Sequence, residues 1–306
     1  MTKKIVFMGT PEFSIQTLEV LVKSKYQIEY VYTQPPKKSE RGKKINTSPI
    51  HKIAEKLNIK IKNPTTLDNE NEFKHFKAIN PYIVVVVAYG QIIPKRYLTV
   101  PEKGFINIHA SLLPKWRGAA PIQRAIMNGD KETGISFMKI EEGLDTGPYM
   151  SQIKVKIDEK TTSESLGKIL SKLGSENILK CIKQIEEGSS QLTSQDTNKV
   201  TYAKKIKKTE SKIEWNKKAI SIVSKINGLN PFPGAWFEHK NTRYKIWKAE
   251  VSNLSGEEAI ILNNDLTIGC KDKSVKILEI QKEGKARLIT RNFLTGGNLN
   301  KGDKVS

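Results

Sequence analysis

The chain has 306 residues, of which 37% are hydrophobic and 27% charged, and its mean hydropathy is -0.47. This composition excludes a disordered chain, and because the longest apolar run, 83–88, cannot span a membrane and no secretory signal is recognisable, we expect a cytoplasmic protein of about two domains. The 52 basic and 32 acidic residues give a net charge of +20, which favours a polyanionic partner.

Apolar runs alternate with amphipathic segments through the first half of the chain. The predicted strands are 4–8, 28–32, 59–61, 82–88 and 104–108. The predicted helices are 11–23, 48–57 and 67–79. This alternation is typical of an open α/β fold of the Rossmann-like kind with a mostly parallel sheet. Ligands of such sheets bind beyond the carboxyl ends of the strands.

The second half changes character after one long helical segment. Strands are predicted at 135–140 and 149–157, followed by a helix over 163–187. A polar connector and a helix over 215–227 come next, and the short β-like runs that follow are 236–239, 242–251, 259–262, 266–270, 274–281 and 286–289. Such runs predict a small β-barrel of the OB type. We therefore expect a domain over 1–188, a linker over 189–207 and a second domain over 208–306.

Three polar residues carry the chemistry. Asn107 and His109 lie at the end of a predicted strand, and Asp145 follows a later turn. An amide can stabilise an oxyanion, an imidazole can donate a hydrogen bond or a proton, and a carboxylate can orient and charge the imidazole. Together they favour acyl-type transfer without a nucleophilic Ser or Cys. Taken singly, a core histidine and a turn aspartate are ordinary structural alternatives.

Other familiar sites have little support. Cys181 and Cys270 are far apart, and no Cys or His has a ligand-like spacing, so we expect neither a disulfide nor a metal site. The turn 9–11 (Gly-Thr-Pro) resembles the strand-to-helix turn of nucleotide-binding folds. It lacks the GxGxxG and Walker patterns, so it does not indicate a dinucleotide or a nucleoside triphosphate.

Several segments resemble one enzyme family. Residues 107–114 (Asn-Ile-His-Ala-Ser-Leu-Leu-Pro) and 143–147 (Gly-Leu-Asp-Thr-Gly) resemble the signature of the 10-formyltetrahydrofolate-dependent formyltransferases. Residues 9–14 (Gly-Thr-Pro-Glu-Phe-Ser), 202–206 (Tyr-Ala-Lys-Lys-Ile) and 230–236 (Asn-Pro-Phe-Pro-Gly-Ala-Trp) are similar to the branch that acts on methionyl-tRNA. The likeness covers essentially the whole chain. It implies a formyltransferase domain followed by an OB-like tRNA-binding domain.

The resemblance also implies the reaction. The amine of initiator methionyl-tRNA would attack the formyl carbon of 10-formyltetrahydrofolate directly, through a tetrahedral oxyanion held by Asn107 and His109, with Asp145 as orienter or base. Folate would be bound without a metal, by an apolar turn and a neighbouring loop. The expected folate-binding residues are Ser111, Leu112, Leu113, Pro114, Ala88, Tyr89 and Gly90.

Basic residues crowd the loop 34–48 and the linker, where contacts to tRNA phosphates or base edges are expected. These residues are Lys37, Lys38, Arg41, Lys43, Lys44, Lys204, Lys205 and Lys207. A solvated flexible loop and a generally lysine-rich surface are the plain alternatives. No heptad repeat is visible, so we expect a monomer.

Three other functions remain open at this stage. A related transferase could formylate glycinamide ribonucleotide or an amino sugar, and a related hydrolase could release the formyl group to water. A non-catalytic RNA-binding protein with an OB-like module would explain the charge. It would leave Asn107, His109 and Asp145 without a role.

Overall fold

The alternating apolar runs of the first half form a sheet with helices between its strands. The computed structural model describes residues 3–38, 45–297 and 299–306, with only the backbone of Lys38. Close contacts between Cα atoms group the chain into two units. The first contains Met1–Ala119, Gly134–Val155 and Gly167–Ala203, and the second contains Ala120–Thr133, Lys156–Leu166 and Lys204–Ser306. The change at 203/204 falls inside the predicted linker.

The first 119 residues supply most of the elements of the first unit. Its strands are β1 (Lys4–Gly9), β2 (Gln27–Tyr32), β3 (Lys37–Lys38), β4 (Ile45–Asn46), β5 (Ile61–Lys62), β6 (Ile83–Val87), β7 (Phe105–His109) and β8 (Arg117–Gly118). Its helices are α1 (Ile15–Val22), α2 (Pro49–Lys56), α3 (Glu70–Ile79) and α4 (Lys95–Leu98), and a 3-10 turn (Glu12–Ser14) precedes α1.

The middle of the chain adds α5 (Pro121–Met127), β9 (Glu132–Lys139), β10 (Tyr149–Lys156), α6 (Ser163–Glu186) and β11 (Tyr202–Ala203). A seven-stranded sheet has the order β10-β9-β7-β6-β1-β2-β5. The pairs from β5 to β7 are parallel, and β9 runs antiparallel to β7. The Rossmann-like, mostly parallel sheet is therefore confirmed.

The strand order reverses between β1 and β6, which makes the crevice above their carboxyl ends the expected ligand site. All five residues of β6 are buried, as its unbroken apolar sequence predicts. On one face of the sheet, aromatic side chains of α3 and α4 pack together: Phe76 lies 4.9 Å from Tyr97 and 6.1 Å from Phe105, measured between ring centroids. This packing fixes the strands whose ends carry the polar residues.

The second unit is built around a different sheet. Its later elements are α7 (Ala219–Leu229), β12 (Ala235–His239), β13 (Thr242–Ser252), β14 (Thr267–Gly269), β15 (Ser274–Lys282), β16 (Leu288–Ile289) and α8 (Thr290–Leu294). The five strands form one antiparallel sheet in which β12, β13, β15 and β14 are successive neighbours and β16 pairs with β15. The buried side of α7, including Ile222 and Ile226, packs against this sheet in a single apolar core.

α5 packs on α7 within the second unit. A Cβ atom added at Gly228 would lie 2.5 Å from the Met127 side chain. The glycine therefore allows the two helices to approach closely at this point. Asn227 and Gly228 also bond across: Asn227 donates to the Glu159 carbonyl at 2.8 Å, and the Gly228 carbonyl accepts from Ser163 Oγ at 2.5 Å. Segments from the middle of the chain thus complete the second unit.

Most elements agree with the sequence-based expectations, with shifts of a few residues at the ends. The predicted run 259–262 is an exception, because Ile260 and Ile261 form only isolated bridges to Lys304 and Ile268. α7 begins at Ala219 rather than at residue 215, since the Ala219 N–H bonds to the Asp272 carboxylate at 2.9 Å. That cap comes from a distant loop, which local sequence cannot reveal.

Candidate active site

Two of the predicted catalytic residues lie on one face of β7. Side chains two residues apart on a strand point to the same face, which places Asn107 beside His109. Ile108 points to the opposite face, where its side chain lies 3.1 Å from the Cβ position of Gly174 in α6. Asn107 is 9% exposed and His109 6%. The strand therefore presents two buried polar groups at its carboxyl end.

The two ring nitrogens of His109 have different neighbours. Nε2 lies 2.9 Å from the Trp116 carbonyl oxygen, and because a carbonyl only accepts, Nε2 carries a hydrogen. Nδ1 faces Asp145 Oδ2 at 3.6 Å. A hydrogen on Nδ1 would make the ring a cation directly opposite the carboxylate. The ring is thus held between a carbonyl and an acid.

Asp145 belongs to the turn between β9 and β10. Its φ of 52° lies in the left-handed region, which is unfavourable for most residues and best tolerated by Asn and Asp. Oδ2 accepts a hydrogen bond of 2.8 Å from the Gly118 N–H. Gly118 has a φ of 117°, and a Cβ atom there would lie 3.0 Å from the Ala203 carbonyl oxygen. A glycine is therefore required where β8 passes between the acid and β11.

The connector contributes residues that sequence reasoning missed. Gln195 donates from Nε2 to the carbonyls of Asp145 at 2.8 Å and Gly147 at 2.7 Å. Arg117, 6% exposed, donates to Gln195 Oε1 from Nε at 2.9 Å and from Nη2 at 2.7 Å. Thr201 Oγ1 accepts from the Trp116 N–H at 2.9 Å. A polar connector without periodicity gives no sign of these contacts.

The turn 111–114 is fixed by buried polar groups. Ser136 Oγ donates to the Ser111 carbonyl at 2.7 Å and accepts from the Leu113 N–H at 3.1 Å. Gln152 Nε2 donates to Ser136 Oγ at 2.9 Å and to the Leu113 carbonyl at 2.8 Å. The peptide bond before Pro114 is cis. Ser111 and Leu113 are buried, whereas Leu112 and Pro114 are half-buried.

The loop 88–90 follows β6 at the neighbouring strand end. The Tyr89 carbonyl accepts from Thr10 Oγ1 at 2.8 Å, and the Gly90 carbonyl accepts from Gln34 Nε2 at 2.8 Å. Tyr89 is buried, which raises the pKa of its phenol, and its hydroxyl makes no hydrogen bond within the described residues. Ala88 and Gly90 are exposed. The loop is thus held through its carbonyls from the β1 and β2 sides.

The predicted tRNA-binding residues fall into two groups. Lys37 and Lys38 form β3, which pairs with β4, and Lys37 Nζ donates to Gln34 Oε1 at 3.0 Å. Lys204, Lys205 and Lys207 are exposed. The remaining residues of the basic loop, which are Arg41, Lys43 and Lys44, lie outside the described residues.

Other features of the described chain bear on the kind of site. Among residues 3–38, 45–297 and 299–306 no group of three or more His, Cys, Asp or Glu side chains is placed to hold a metal ion. No helix in that part of the chain has the length and apolar character needed to cross a membrane. A cavity of about 330 Å³ lined by Val22, Ile28 and Leu57 contains none of the predicted site residues. Cys181 and Cys270 are free and buried.

Comparisons with known proteins identify the same family along the whole chain. Residues 3–182 match the family described as formyl transferase, and residues 205–298 match the formyl transferase C-terminal domain. The methionyl-tRNA formyltransferase of Pelagibacter ubique is 53% identical over 308 residues, covering 100% of this chain and 99% of the relative.

Solved structures share the fold at lower identity. The N-formyltransferase of Helicobacter canadensis, solved with folinic acid and dTDP-3-aminofucose, has a TM-score of 0.69 and 21% identity, covering 92% of this chain and 100% of its own. A variant of HypX from Aquifex aeolicus has a TM-score of 0.65 and 14% identity over 98% of this chain, which spans 49% of the HypX length. With both family models and a full-length relative matched, the chain belongs to the methionyl-tRNA formyltransferase family.

Proposed function

We propose that this protein transfers the formyl group of 10-formyltetrahydrofolate to the amino group of initiator methionyl-tRNA, in the cytoplasm and as a monomer. The observation that carries the proposal is the convergence of three groups: Asn107 and His109 share one strand face, and Asp145 Oδ2 lies 3.6 Å from His109 Nδ1. The 53% identity to a full-length methionyl-tRNA formyltransferase supports the choice of acceptor.

The reaction needs no covalent enzyme intermediate. The neutral amine attacks the formyl carbon, and the carbonyl oxygen becomes an oxyanion. The Asn107 amide donates to that oxygen, and a His109 N–H reaches it once the substrate displaces one of the two contacts of the ring, to the Trp116 carbonyl or to Asp145; both donors stabilise the charge that develops there. Asp145 accepts a proton from the attacking nitrogen, directly or through water. The bond from carbon to N10 of the folate then breaks, N10 takes up a proton, and tetrahydrofolate leaves.

The folate fits between the turn 111–114 and the loop 88–90. The carbonyls of Tyr89 and Gly90 already accept hydrogen bonds, so a pterin would meet the N–H groups of this loop and the carbonyl of Ala88. The half-buried Leu112 supplies apolar surface for the ring. We assign the chemistry to side chains and backbone groups.

Basic residues of the loop 34–48 and of the linker would contact the tRNA. Gln34 connects Lys37 of the first of these segments to the folate loop, because its side chain bonds to both Lys37 and the Gly90 carbonyl. In the linker, Lys204, Lys205 and Lys207 expose their side chains for phosphate contacts.

One assay separates this proposal from its rivals. The purified protein is mixed with 10-formyltetrahydrofolate and, in parallel, methionyl-tRNA, glycinamide ribonucleotide, an amino-sugar nucleotide, or water alone, and both formyl release and the formylated product are measured. We expect rapid product formation with methionyl-tRNA only. Transfer to a small amine, or release of formate at the same rate without an acceptor, would overturn the proposal.

A further inference from the structure

A partly buried contact links the connector to the turn of the predicted catalytic residue Asp145. Gln195 lies in a segment that the sequence describes only as polar, yet its side chain bonds to the backbone of the turn that carries Asp145. Arg117, beside the glycine that donates to Asp145, bonds to the same side chain. Resting on the proposed function, we propose that Gln195, locked by Arg117, is a positioning residue that holds Asp145 opposite His109.

The contact has only one chemically consistent orientation. A guanidinium can only donate, so the Gln195 oxygen must face Arg117. The Gln195 NH2 group is then turned toward the carbonyls of Asp145 and Gly147, which can only accept. Two hydrogen bonds on each side, all between 2.7 and 2.9 Å, therefore fix the amide. The Gln195 side chain is therefore held rigidly between Arg117 and the turn that carries Asp145.

Arg117 is an unusual partner for an amide. It is 6% exposed, and within the described residues it makes no ion pair with a carboxylate, although a buried guanidinium is normally found beside one. Its Nε and Nη2 both bond to the neutral oxygen of Gln195. Plain structural support for the connector would not need a buried charge. The planar guanidinium does supply two donors in a fixed geometry, and these set the direction of the Gln195 amide.

Asp145 needs such support because its backbone is strained. Its φ of 52° is in the left-handed region, which costs roughly 1 kcal/mol for a residue other than glycine. The hydrogen bond from Gln195 to the Asp145 carbonyl holds that peptide in place, while the Gly118 N–H holds the carboxylate. Without the first bond, the turn can relax and carry Oδ2 away from His109.

The test replaces the donor while keeping the shape. Q195E retains an oxygen for Arg117, so the connector stays anchored, but it places a second oxygen against the carbonyls of Asp145 and Gly147. We expect kcat to fall by about 30-fold, with both KM values changed by less than about threefold, because only groups acting in the transition state are disturbed. The acid limb of the pH profile of kcat should also move.

Two further variants provide a matched control and a second, independent test. Q191E makes the same substitution at an exposed position of the same connector and should stay within about twofold of the unaltered protein. R117K removes the two hydrogen bonds from the guanidinium to Gln195 and should lower kcat by about tenfold. This variant still tests the inference if Q195E does not fold. Thermal unfolding of each variant shows which of them are folded.

A substrate-free measurement separates this inference from the proposed function. The ring signals of His109 in 1H–15N spectra, assigned with H109Q, should move in Q195E and R117K and stay unchanged in Q191E. If the unaltered protein does not formylate methionyl-tRNA, the proposed function fails and the spectra alone decide the positioning role. Unchanged His109 signals with an unchanged pH profile, or a loss confined to KM, would overturn that role.

Discussion

At the scale of single residues, the polar groups of the site differ in how many hydrogen-bond partners they have. His109 has one ring nitrogen committed to the Trp116 carbonyl and the other facing Asp145, so rotation of the ring would break two interactions at once. Asn107 differs, since its side chain makes no hydrogen bond within the part of the chain that the structure describes. Its NH2 hydrogens are therefore available to a substrate oxygen.

That contrast gives a prediction for Asn107. Asn107→Ala should lower kcat by about 100-fold, because one donor to the oxyanion is lost, while the free energy of unfolding changes by less than about 1 kcal/mol. Steady-state kinetics and urea unfolding measure the two effects. The exposed Asn216, changed to Ala, is the matched control. A stability loss that accounts for the whole decrease in activity would contradict the assignment.

Sequence reasoning reached some of these residues and not others. Asn107 and His109 stand two apart at the end of an apolar strand, and that spacing alone places them on one face. Arg117 and Gln195 could not be found in this way. They meet only because β8 pairs with β11, a contact between segments 85 residues apart that neither hydrophobic periodicity nor turn chemistry encodes.

At the scale of elements, Ser136 connects β9 to the turn 111–114. It is fully buried and bonds to both Ser111 and Leu113, and Gln152 of β10 bonds to it from the other side. One hydroxyl therefore sets the height of the turn above the sheet. Its removal leaves a buried carbonyl and a buried N–H without partners.

Ser136→Ala should consequently raise the KM for 10-formyltetrahydrofolate by about fivefold and lower the free energy of unfolding by about 1 to 3 kcal/mol. The KM for methionyl-tRNA should change much less. Folate-dependence kinetics and thermal unfolding test this together. Ser151→Ala on β10 is the control, since the Ser151 hydroxyl contacts only Cys181 Sγ at 3.8 Å among the hydrogen-bonding groups of the described chain.

A second element, the basic run of the linker, is fixed by Arg124 of α5. Its guanidinium makes a two-point contact with Glu210 at 2.7 and 3.1 Å and donates to the Lys204 carbonyl at 3.0 Å. The Arg124 hydrogen bond lowers the pKa of Glu210. A lowered pKa means that this contribution to stability is present at neutral pH and is lost as the pH falls below the ordinary glutamate range, near 4.5.

Arg124→Lys should therefore reduce the free energy of unfolding by about 1 kcal/mol at neutral pH, and the difference should shrink between pH 7 and pH 3, as Glu210 takes up a proton. Urea unfolding at the two pH values measures this. Arg291→Lys, at an exposed position of α8, should have no effect at either. A deficit that persists at low pH would mean that the bond to the Lys204 carbonyl, and not the ion pair, dominates.

At the scale of the whole molecule, the net charge of +20 predicts that the binding of the two substrates depends differently on salt. Binding to nucleic acid releases counterions and weakens steeply with salt, whereas binding of folate depends on a few short contacts. Raising the salt from 50 to 200 mM should raise the KM for methionyl-tRNA by at least about tenfold and that for the folate by less than about twofold. Equal salt dependence of both KM values would exclude a tRNA-binding role for the basic surface.

The sequence predicted the two architectures better than their extents. The periodicity of alternating strands and helices was enough for the mostly parallel sheet, and short β-like runs were enough for the antiparallel one. The inclusion of Ala120–Thr133 and Lys156–Leu166 in the second unit was not foreseeable, because it depends on packing against α7. The boundaries at 188 and 208 stay a prediction about domains.

The close approach of α5 to Gly228 has a practical consequence for dissecting this enzyme. A fragment that stops after Ala203 would keep every predicted catalytic group but would uncover the Met127 side chain, which packs against the apolar core of the second unit. Such a fragment would expose apolar surface and would tend to self-associate. Inhibitor screening and chimaera building should therefore start from the intact polypeptide, with no attempt to trim it to a minimal catalytic half.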